Sequence, residues 1–289
     1  MRAVVVTGAS TGIGRGIANV LLQRGFRVFG SVRNAADASR LSSELGANFT
    51  PLLFDITDAG AASAAAAQVE RALEGMPLFG LVNNAGIAVP GPLLYLEIDE
   101  LRRQLEINVT GQLIVTQAFA SLLMRKTAQG PAPGRIVMIS SVGGRNASPF
   151  VGPYNASKFA LEGLSESLRR ELMVFGIDVI IVAPGAVATP IWDKADAIDV
   201  TRYANTVYAR ALEALKTHMV ANGRKGLPPE RIGLAVWQAL VTRKPKTRYV
   251  VTPDPLQNLL VHTLPKRIVD RMIAARLGLK SDNSKPPPQ

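Results

Sequence analysis

Short apolar, largely β-branched runs alternate with longer helical patterns over the first two-thirds of the chain. Six of these runs have the length of buried strands, and a seventh candidate follows later. The runs are Ala3–Thr7, Arg27–Val32, Phe49–Asp55, Leu78–Asn84, Arg135–Ser140, Asp178–Ala183 and Arg248–Thr252. Helices are predicted to begin near Ile13, Ala36, Asp58, Glu97 and Tyr154. This alternation predicts an α/β fold, in which a doubly wound parallel sheet of about seven strands carries helices on both faces.

The sequence contains neither an internal repeat nor a linker rich in Pro, Gly or Ser, so a single domain over residues 1–280 is predicted. Residues 186–226 break the rhythm and predict a small helical lid over one end of the sheet. Several apolar lid residues either roof a lipophilic ligand or simply pack the lid helices together. They are Ile191, Trp192, Ile198, Tyr203, Val207 and Tyr208. The polar, proline-rich residues 281–289 predict a disordered tail.

The composition restricts the possible chemistry. The chain has no cysteine, and its two histidines, His218 and His262, lie too far apart in sequence for a local metal motif. We therefore expect no metal, and reactive groups that are oxygen or nitrogen side chains or an organic cofactor. No run is long and apolar enough for a membrane span, and the first residues do not have the pattern of a signal peptide. A cytoplasmic protein is expected.

The formal net charge of +11 is unevenly distributed. Residues 221–280 hold twelve Lys or Arg against three Asp or Glu, so most of the excess is local. The segment LPKRIVDRMIAARLGLK predicts an amphipathic helix that begins after Pro265. We interpret it as a helix docked by its apolar face rather than as a nucleic-acid site, with weak contact to a membrane surface as the alternative.

The first predicted strand ends in TGASTGIG, where Gly8, Gly12 and Gly14 lead into a helix. Glycine lets the backbone approach a phosphate closely, and a helix N-terminus offers unpaired N–H groups and the positive end of its dipole. The motif predicts a pyrophosphate cradle. Its G-x-x-x-G-x-G spacing differs from the usual dinucleotide fingerprint, and a structural turn is the alternative interpretation.

The ends of the second and third strands bear on the cofactor. An acid is expected at the end of the second strand when the cofactor ribose has a free 2′-hydroxyl. Arg33 stands there instead, and its cation suits a 2′-phosphate. NADP(H) is therefore predicted in preference to NAD(H), with an ordinary surface arginine as the alternative. Asp55 ends the third strand, where it either faces the cofactor or holds the turn.

Tyr154 and Lys158 are four residues apart on a predicted helix and therefore share one face. A phenol has an ordinary pKa of about 10, and a nearby ammonium favours its ionised form. The pair predicts a tuned proton donor and acceptor. Ser141, at the end of the fifth strand, is placed to hydrogen-bond the oxygen that the tyrosine protonates.

Six motifs in their order and spacing resemble the short-chain dehydrogenase/reductase family over about residues 3–250. They are TGASTGIG, NNAG at 83–86, Ile107-Asn108, Ser140-Ser141, YNASK at 154–158 and PGAVAT at 184–189. The resemblance implies a Rossmann-type fold and an oxidoreductase that interconverts a carbonyl and an alcohol. It also implies a catalytic tetrad, in which Tyr154 is the general acid/base, Lys158 lowers its pKa and holds the nicotinamide ribose, Ser141 orients the substrate carbonyl, and Asn108 supports a proton relay.

The resemblance further implies the residues that contact the cofactor. They are Gly8, Ser10, Gly12, Ile13, Gly14, Arg33, Asp55, Asn83, Ala85, Tyr154, Lys158, Pro184, Gly185 and Thr189. One position departs from the family pattern, because relatives that use NADP often have a basic residue just before the second glycine, where this chain has Thr11. The cofactor prediction therefore rests on Arg33 alone.

The stretch after residue 250 is similar to the steroid- and retinol-type branch of the family. It favours a lipophilic ketone, aldehyde or alcohol of steroid, retinoid or fatty type as the small-molecule substrate. Family members commonly form homodimers or homotetramers, partly through the helix that begins here near Tyr154. Its apolar residues Phe159, Leu161, Leu164 and Leu168 suit such an interface, and core packing explains them equally well.

Two other functions compete with this interpretation. GASTG matches the G-x-S-x-G nucleophile elbow of serine hydrolases, with Ser10 as nucleophile, His218 or His262 as base and Asp193 as acid. That interpretation leaves the motifs at the other strand ends unused. The second alternative is a sensor that binds NADPH without turning it over.

Overall fold

The computed structural model describes residues 1–125, 133–197 and 199–279. Seven strands form one parallel sheet in the order β3-β2-β1-β4-β5-β6-β7. They are β1 (Ala3–Val6), β2 (Arg27–Val32), β3 (Phe49–Leu53), β4 (Gly80–Asn83), β5 (Arg135–Ile139), β6 (Val179–Pro184) and β7 (Arg248–Val251). Each strand lies within two residues of its predicted run at both ends. The predicted fold class is confirmed.

Eleven α-helices lie in the described residues. They are α1 (Gly12–Gln23), α2 (Ala35–Leu45), α3 (Ala59–Leu73), α4 (Ile98–Leu105), α5 (Gly111–Leu123), α6 (Gly152–Glu171), α7 (Ile191–Asp196), α8 (Ala209–Arg224), α9 (Pro229–Val241), α10 (Pro255–Thr263) and α11 (Lys266–Leu277). A π-helical turn, Glu106–Thr110, joins α4 to α5. The five predicted helix starts lie within two residues of α1, α2, α3, α4 and α6. Asp58 caps α3 by accepting a hydrogen bond from the Ala61 N–H at 2.9 Å.

Strand residues alternate between two apolar cores, one on each face of the sheet. The core that contains Val5 is covered by α3, α5 and α6, and the core that contains Val4 is covered by α1, α2 and α9. Helices α1 and α9 pack closely because glycines meet at their contact. A Cβ on Gly16 would lie 2.5 Å from the Pro229 Cβ, and one on Gly233 would lie 2.8 Å from the Gly16 carbonyl oxygen.

The strand order reverses between β1 and β4, because the chain first builds outward through β2 and β3 and then returns to the other side of β1. In open parallel sheets a crevice forms outside the carboxyl ends of the strands at such a point, and ligands bind there. The loops after β1 and β4 therefore border the crevice directly, and the loops after β5 and β6 lie next to them. All four loops carry predicted site residues.

The lid consists of α7, a short 3₁₀ turn (Thr201–Tyr203) and α8. Tyr203 is buried, and the Tyr208 ring meets those of Tyr95 and Phe150 edge-on. The Trp192 indole packs where a Cβ on Gly223 would stand and donates a hydrogen bond to the Val187 carbonyl at 2.7 Å. These three aromatic residues therefore pack the lid helices together, which favours that interpretation over a roof for a lipophilic ligand. Ile191 and Val207 are exposed, and Ile198 lies outside the described residues.

Helix α11 begins directly after Pro265, as predicted. Leu277 is buried with the lid residues Leu212 and Leu215, so the helix docks by its apolar side onto α8. Ile268 and Met272 remain exposed. Among the described helices, none has both the length and the apolar character that crossing a bilayer requires. The predicted tail, 281–289, lies outside the described residues.

Candidate active site

The loop after β1 is shaped by three glycines. Gly8 and Gly12 have φ angles of 66° and 57°, in the left-handed region that L side chains rarely adopt. At Gly14 a Cβ would lie 2.1 Å from the Gly8 carbonyl oxygen, so only glycine lets α1 begin this close to the loop. Thr11 precedes α1 but makes no side-chain capping hydrogen bond. The first turn of α1 therefore lacks the side-chain oxygen that usually caps its N–H groups.

The loop after β4 is tied to the glycine loop through Thr7 and Asn84. The Thr7 hydroxyl oxygen accepts hydrogen bonds from the N–H groups of Asn84 at 2.8 Å and Ala85 at 3.0 Å. The Asn84 side-chain amide donates to the Thr7 carbonyl at 2.8 Å. Sequence reasoning chose the neighbours Asn83 and Ala85 and missed Asn84, whose partners lie more than 70 residues away.

The side chain of Asn83, a predicted cofactor contact, faces the core. Its side chain is buried in the core and donates hydrogen bonds to the Thr116 hydroxyl at 2.8 Å and the Met138 sulfur at 3.3 Å. The side chain points into the core because Asn83 is the last residue of β4 and faces α5. A side-chain contact from Asn83 to a cofactor is therefore excluded by this geometry, and only its backbone remains available. Ala85 lies against Gly8 at the edge of the crevice.

Two arginines lie near the glycine loop, Arg33 directly after β2 and Arg40 on α2. Arg33 is exposed and near Asp37 and Asp55, whose pKa values its charge helps to lower. Arg40 on α2 donates to the Ser10 carbonyl at 3.0 Å and to the Asp37 carboxylate at 2.7 Å. The hydrogen bond from Arg40 is the largest cause of the lowered pKa of Asp37. Arg40 supplies a second cation beside the loop, which no sequence motif indicated.

Asp55 holds the turn after β3. Its Oδ1 atom accepts hydrogen bonds from the Thr57 N–H at 2.9 Å and the Thr57 hydroxyl at 2.8 Å. The backbone hydrogen bond from Thr57 is the main cause of the lowered pKa of Asp55, and burial opposes it. These contacts match the structural alternative that the sequence left open, although Asp55 also lies near Arg33.

The loop after β6 closes the other side of the crevice. Pro184 ends the strand, and the Gly185 N–H donates to the Val251 carbonyl at 2.8 Å. Thr189 packs against Gly12, and a Cβ added to Gly12 would lie 3.3 Å from the Thr189 Cβ. The sequence-predicted residues after β1 and β6 are thus brought together. Ile13 packs against the apolar core beneath the loop.

Ser141, Tyr154 and Lys158 meet at the ends of β5 and α6. The Ser141 hydroxyl hydrogen-bonds the Tyr154 side chain and also accepts from the Gly143 N–H at 3.0 Å. The Lys158 Nζ lies 5.8 Å from the centre of the Tyr154 ring and donates to the Ile139 carbonyl at 2.8 Å. Lys158 is only 6% exposed, whereas Tyr154 is half-buried. The structure therefore brings the three predicted side chains together.

The pKa of Tyr154 differs from the sequence prediction. Burial raises the pKa of Tyr154, and the hydrogen bond with Ser141 opposes this rise. Burial also lowers the pKa of Lys158 to about 8, with the charge of Glu162 acting in the opposite direction. The predicted lowering of the tyrosine pKa by Lys158 is absent because desolvation dominates at both groups. The ammonium is also held by the Ile139 carbonyl.

Asn108 lies in the π-helical turn between α4 and α5 and is buried. Its side chain accepts from the Ile87 N–H at 2.9 Å, and it donates to the Ile87 carbonyl at 3.0 Å and the Ser157 hydroxyl at 3.1 Å. Ser157 in turn donates to the Tyr154 carbonyl at 2.7 Å. The Asn108 side chain therefore connects the loop after β4 to α6.

The residues of the hydrolase alternative are not assembled. The His218 ring contacts Asn222 and Arg276, and Asp193 pairs with Arg224 at 3.0 Å. His262 lines a groove beside α6. In the part of the chain that the structure describes, these three side chains thus contact groups other than Ser10, and the geometry does not favour a nucleophile elbow.

Comparison with known proteins agrees with this geometry. The family model described as short chain dehydrogenase matches residues 2–198. The chain is 37% identical over 273 residues to an NADPH-dependent 3-dehydrocapnine reductase from Ornithobacterium rhinotracheale, which covers 94% of this chain and 96% of that protein. It is 35% identical over 285 residues to retinol dehydrogenase 5 from Homo sapiens, covering 93% and 87% of the two chains. A crystal structure of a short-chain dehydrogenase from Streptomyces avermitilis superposes with a TM-score of 0.75 at 28% identity, covering 97% of this chain and 98% of that one.

The fold and the site define a dinucleotide-binding α/β oxidoreductase. The uncapped N-terminus of α1, which the loop meets closely because Gly8, Gly12 and Gly14 lack side chains, fits a pyrophosphate. The chain belongs to the short-chain dehydrogenase family, and it is an oxidoreductase that acts on CH–OH and C=O groups with NAD(P).

Proposed function

We propose that this protein is an NADPH-dependent reductase that converts a lipophilic ketone or aldehyde into the corresponding alcohol, with Tyr154 as the general acid. The observation that carries the proposal is the meeting of Ser141, Tyr154 and Lys158 beside a glycine-rich crevice. The direction is supported by the name of the bacterial relative, an NADPH-dependent reductase. Retinol dehydrogenase 5, the human relative, supports a lipophilic substrate.

Each side chain has a distinct part in the proposed reaction. NADPH, when bound, supplies the hydride that reduces the carbonyl carbon. Tyr154 donates its hydroxyl proton to the carbonyl oxygen, and its raised pKa keeps that proton in place at neutral pH. The Ser141 hydroxyl hydrogen-bonds the same oxygen and fixes its direction. Lys158, whose Nζ lies 5.8 Å from the centre of the Tyr154 ring, would hold the nicotinamide ribose.

The cradle residues are assigned to the cofactor by position. Gly8, Ser10, Gly12, Ile13 and Gly14 would hold the pyrophosphate with the first turn of α1. The other predicted contacts would lie along the adenosine and nicotinamide ends of the cofactor. They are Asp55, the Asn83 backbone, Ala85, Pro184, Gly185 and Thr189. Arg33 and Arg40 together would bind a 2′-phosphate, because both guanidinium groups lie near Asp37 in the first turn of α2, shortly after the end of β2. This second cation supports NADP(H) although Thr11 stands where relatives carry a basic residue.

The exposed residues bear on the oligomeric state and on the location of the enzyme. Phe159 on α6 is 46% exposed, whereas Leu161, Leu164 and Leu168 pack into the core. A homodimer or homotetramer formed through α6 would bury Phe159, and light scattering of the purified protein measures the number of subunits. We propose a cytoplasmic location with α11 docked, and the alternative of weak contact to a membrane surface is supported by the exposed apolar residues of α10 and α11 next to the lysine and arginines of α11.

The proposal is tested by Tyr154→Phe, which keeps the ring and removes the proton donor. We expect turnover of a panel of ketones and aldehydes to fall by about a hundred- to ten-thousandfold, which is the usual contribution of acid–base catalysis, while NADPH binding stays within a few-fold. Nicotinamide absorbance measures turnover and NADPH fluorescence measures binding.

Tyr249→Phe is the matched control, because the Tyr249 hydroxyl only accepts a hydrogen bond from the Lys246 N–H at 3.2 Å. Ordinary turnover in Tyr154→Phe would refute the assignment of the general acid. NADPH binding by the wild-type protein without oxidation by any carbonyl of the panel would instead establish the sensor.

A further inference from the structure

Glu162 is a buried carboxylate one helical turn beyond Lys158 on α6, and it is 6% exposed. Its two oxygens accept hydrogen bonds from three side chains on other elements. The Ser140 hydroxyl donates at 2.9 Å, the Arg145 Nε at 2.9 Å, and the Arg248 guanidinium through Nε at 3.0 Å and Nη2 at 2.9 Å. A surface helix position does not require this arrangement, and the reaction proposed above makes no use of Glu162.

Arg248 is the first residue of β7, and its side chain is 11% exposed. Besides Glu162, its Nη2 atom is within 3.4 Å of the Ser141 carbonyl oxygen. The end of β5 is thus held at three consecutive residues. The Ile139 carbonyl accepts from Lys158, the Ser140 hydroxyl donates to Glu162, and the Ser141 carbonyl faces Arg248.

A buried ion pair contributes little net stability, because desolvation of two charges offsets most of their attraction. The Glu162–Arg248 pair is therefore poorly explained as a device for stability alone. It does connect the segment that carries Ser141 with the helix that carries Tyr154 and Lys158. Reacting groups must be held within a fraction of an ångström of their productive positions for efficient transfer.

We propose that the Glu162–Arg248 ion pair is a positioning pair, which fixes Ser141 against Tyr154 and Lys158. Glu162 and Arg248 act through those three residues and do not touch the substrate. The effect on turnover rests on the proposed reductase function, whereas the effect on Lys158 does not.

The effect on Lys158 follows from the charges around Glu162. Groups on five elements face this carboxylate. They are Lys158 and Glu166 on α6, Arg145 after β5, Arg248 on β7, His262 on α10 and Lys266 on α11. The negative charge of Glu162 raises the pKa of Lys158 against the lowering by burial. Removal of that charge is therefore expected to move the titration of Lys158 to lower pH.

Two variants separate positioning from folding. Glu162→Gln keeps a hydrogen-bond acceptor for Ser140 but leaves the Arg248 charge buried and unpaired. Glu162→Gln/Arg248→Met removes both charges with side chains of similar size, which relieves that cost. Glu166→Gln is the matched control one turn further along α6, because the Glu166–Arg170 pair is exposed.

We expect kcat for carbonyl reduction to fall about ten- to a hundredfold in both variants, with the Kd for NADPH within about threefold of wild type and no change in the control. Thermal denaturation should show the double variant to be more stable than Glu162→Gln. Recovery of kcat in the double variant would show that only the unpaired charge mattered and would overturn the proposal. So would a wild-type kcat in Glu162→Gln.

NMR titration of ¹³C-labelled lysine side chains gives a second readout that needs neither cofactor nor substrate. The Lys158 resonance should titrate at lower pH in Glu162→Gln than in wild type and should be unmoved in Glu166→Gln. An unchanged Lys158 titration contradicts the positioning pair. A wild-type protein that reduces no carbonyl defeats the proposed function, and the titration still decides whether Glu162 acts on Lys158.

Discussion

Replacement of Gly14 by alanine tests whether the glycine loop is built to hold a phosphate. The new Cβ would lie 2.1 Å from the Gly8 carbonyl oxygen and 2.6 Å from the Asn84 side-chain nitrogen. Ordinary contact begins near 3.4 Å, so the loop and α1 must separate by about 1 Å. The Gly8 carbonyl is backbone and cannot rotate away as a flexible side chain would.

The cost of this separation can be estimated. Overpacking of a tight site costs about 1–3 kcal/mol, and alanine in place of glycine in a helix returns about 1 kcal/mol. The free energy of unfolding should therefore fall by at most about 2 kcal/mol, and the protein should stay folded. Loss of one charge-assisted hydrogen bond to the pyrophosphate costs about 1.5–3 kcal/mol, which weakens NADPH binding about ten- to a hundredfold.

Gly163→Ala is the matched control, because Gly163 lies inside α6 and a Cβ there meets no heavy atom within 4 Å. This variant should gain about 1 kcal/mol of stability and bind NADPH as the wild type does. Urea denaturation measures the stabilities, and NADPH fluorescence measures the affinities. If Gly14→Ala binds NADPH within threefold of wild type, the loop is a structural turn and the cradle is wrong.

The remaining predictions concern charge. Arg33→Ala and Arg40→Ala should each weaken NADPH binding about tenfold and leave NADH binding nearly unchanged in fluorescence titrations at fixed salt. Equal losses of affinity for both cofactors would contradict a 2′-phosphate site at these arginines. Burial lowers the pKa of Lys158 from 10.5 to about 8, so between these values the unfolded chain keeps a proton that the folded chain has released. The free energy of unfolding of the wild type, measured by urea denaturation, should therefore rise with pH across that window by up to about 3 kcal/mol relative to that of Lys158→Met. A difference between the two proteins that does not change with pH would contradict the lowered pKa of Lys158. Anionic vesicles should not sediment the protein at physiological salt if α11 is only docked, and sedimentation would establish the membrane contact.

Sequence reasoning located the strands and most helices because their signals are local. Apolar periodicity predicts β1 or α6 without knowledge of any distant residue. The glycines at 8, 12 and 14 likewise indicate a strand-to-helix turn by themselves. Arg40, Asn84 and Glu162 were missed for the opposite reason. The partners of Arg40, Asn84 and Glu162 are 30, 77 and 86 residues away, and only the assembled sheet brings them together.

Burial explains the largest difference between the predicted and the observed site. The spacing of Tyr154 and Lys158 shows that they are neighbours, and it led us to expect that the charge of one would dominate the pKa of the other. In the structure, desolvation moves the two pKa values apart, upward for the phenol and downward for the ammonium. A raised pKa favours the protonated phenol, which is the form that gives a proton to a carbonyl oxygen. Oxidation of an alcohol would use the phenolate instead, and the Ser141 hydrogen bond is the one described contact that moves Tyr154 toward that form.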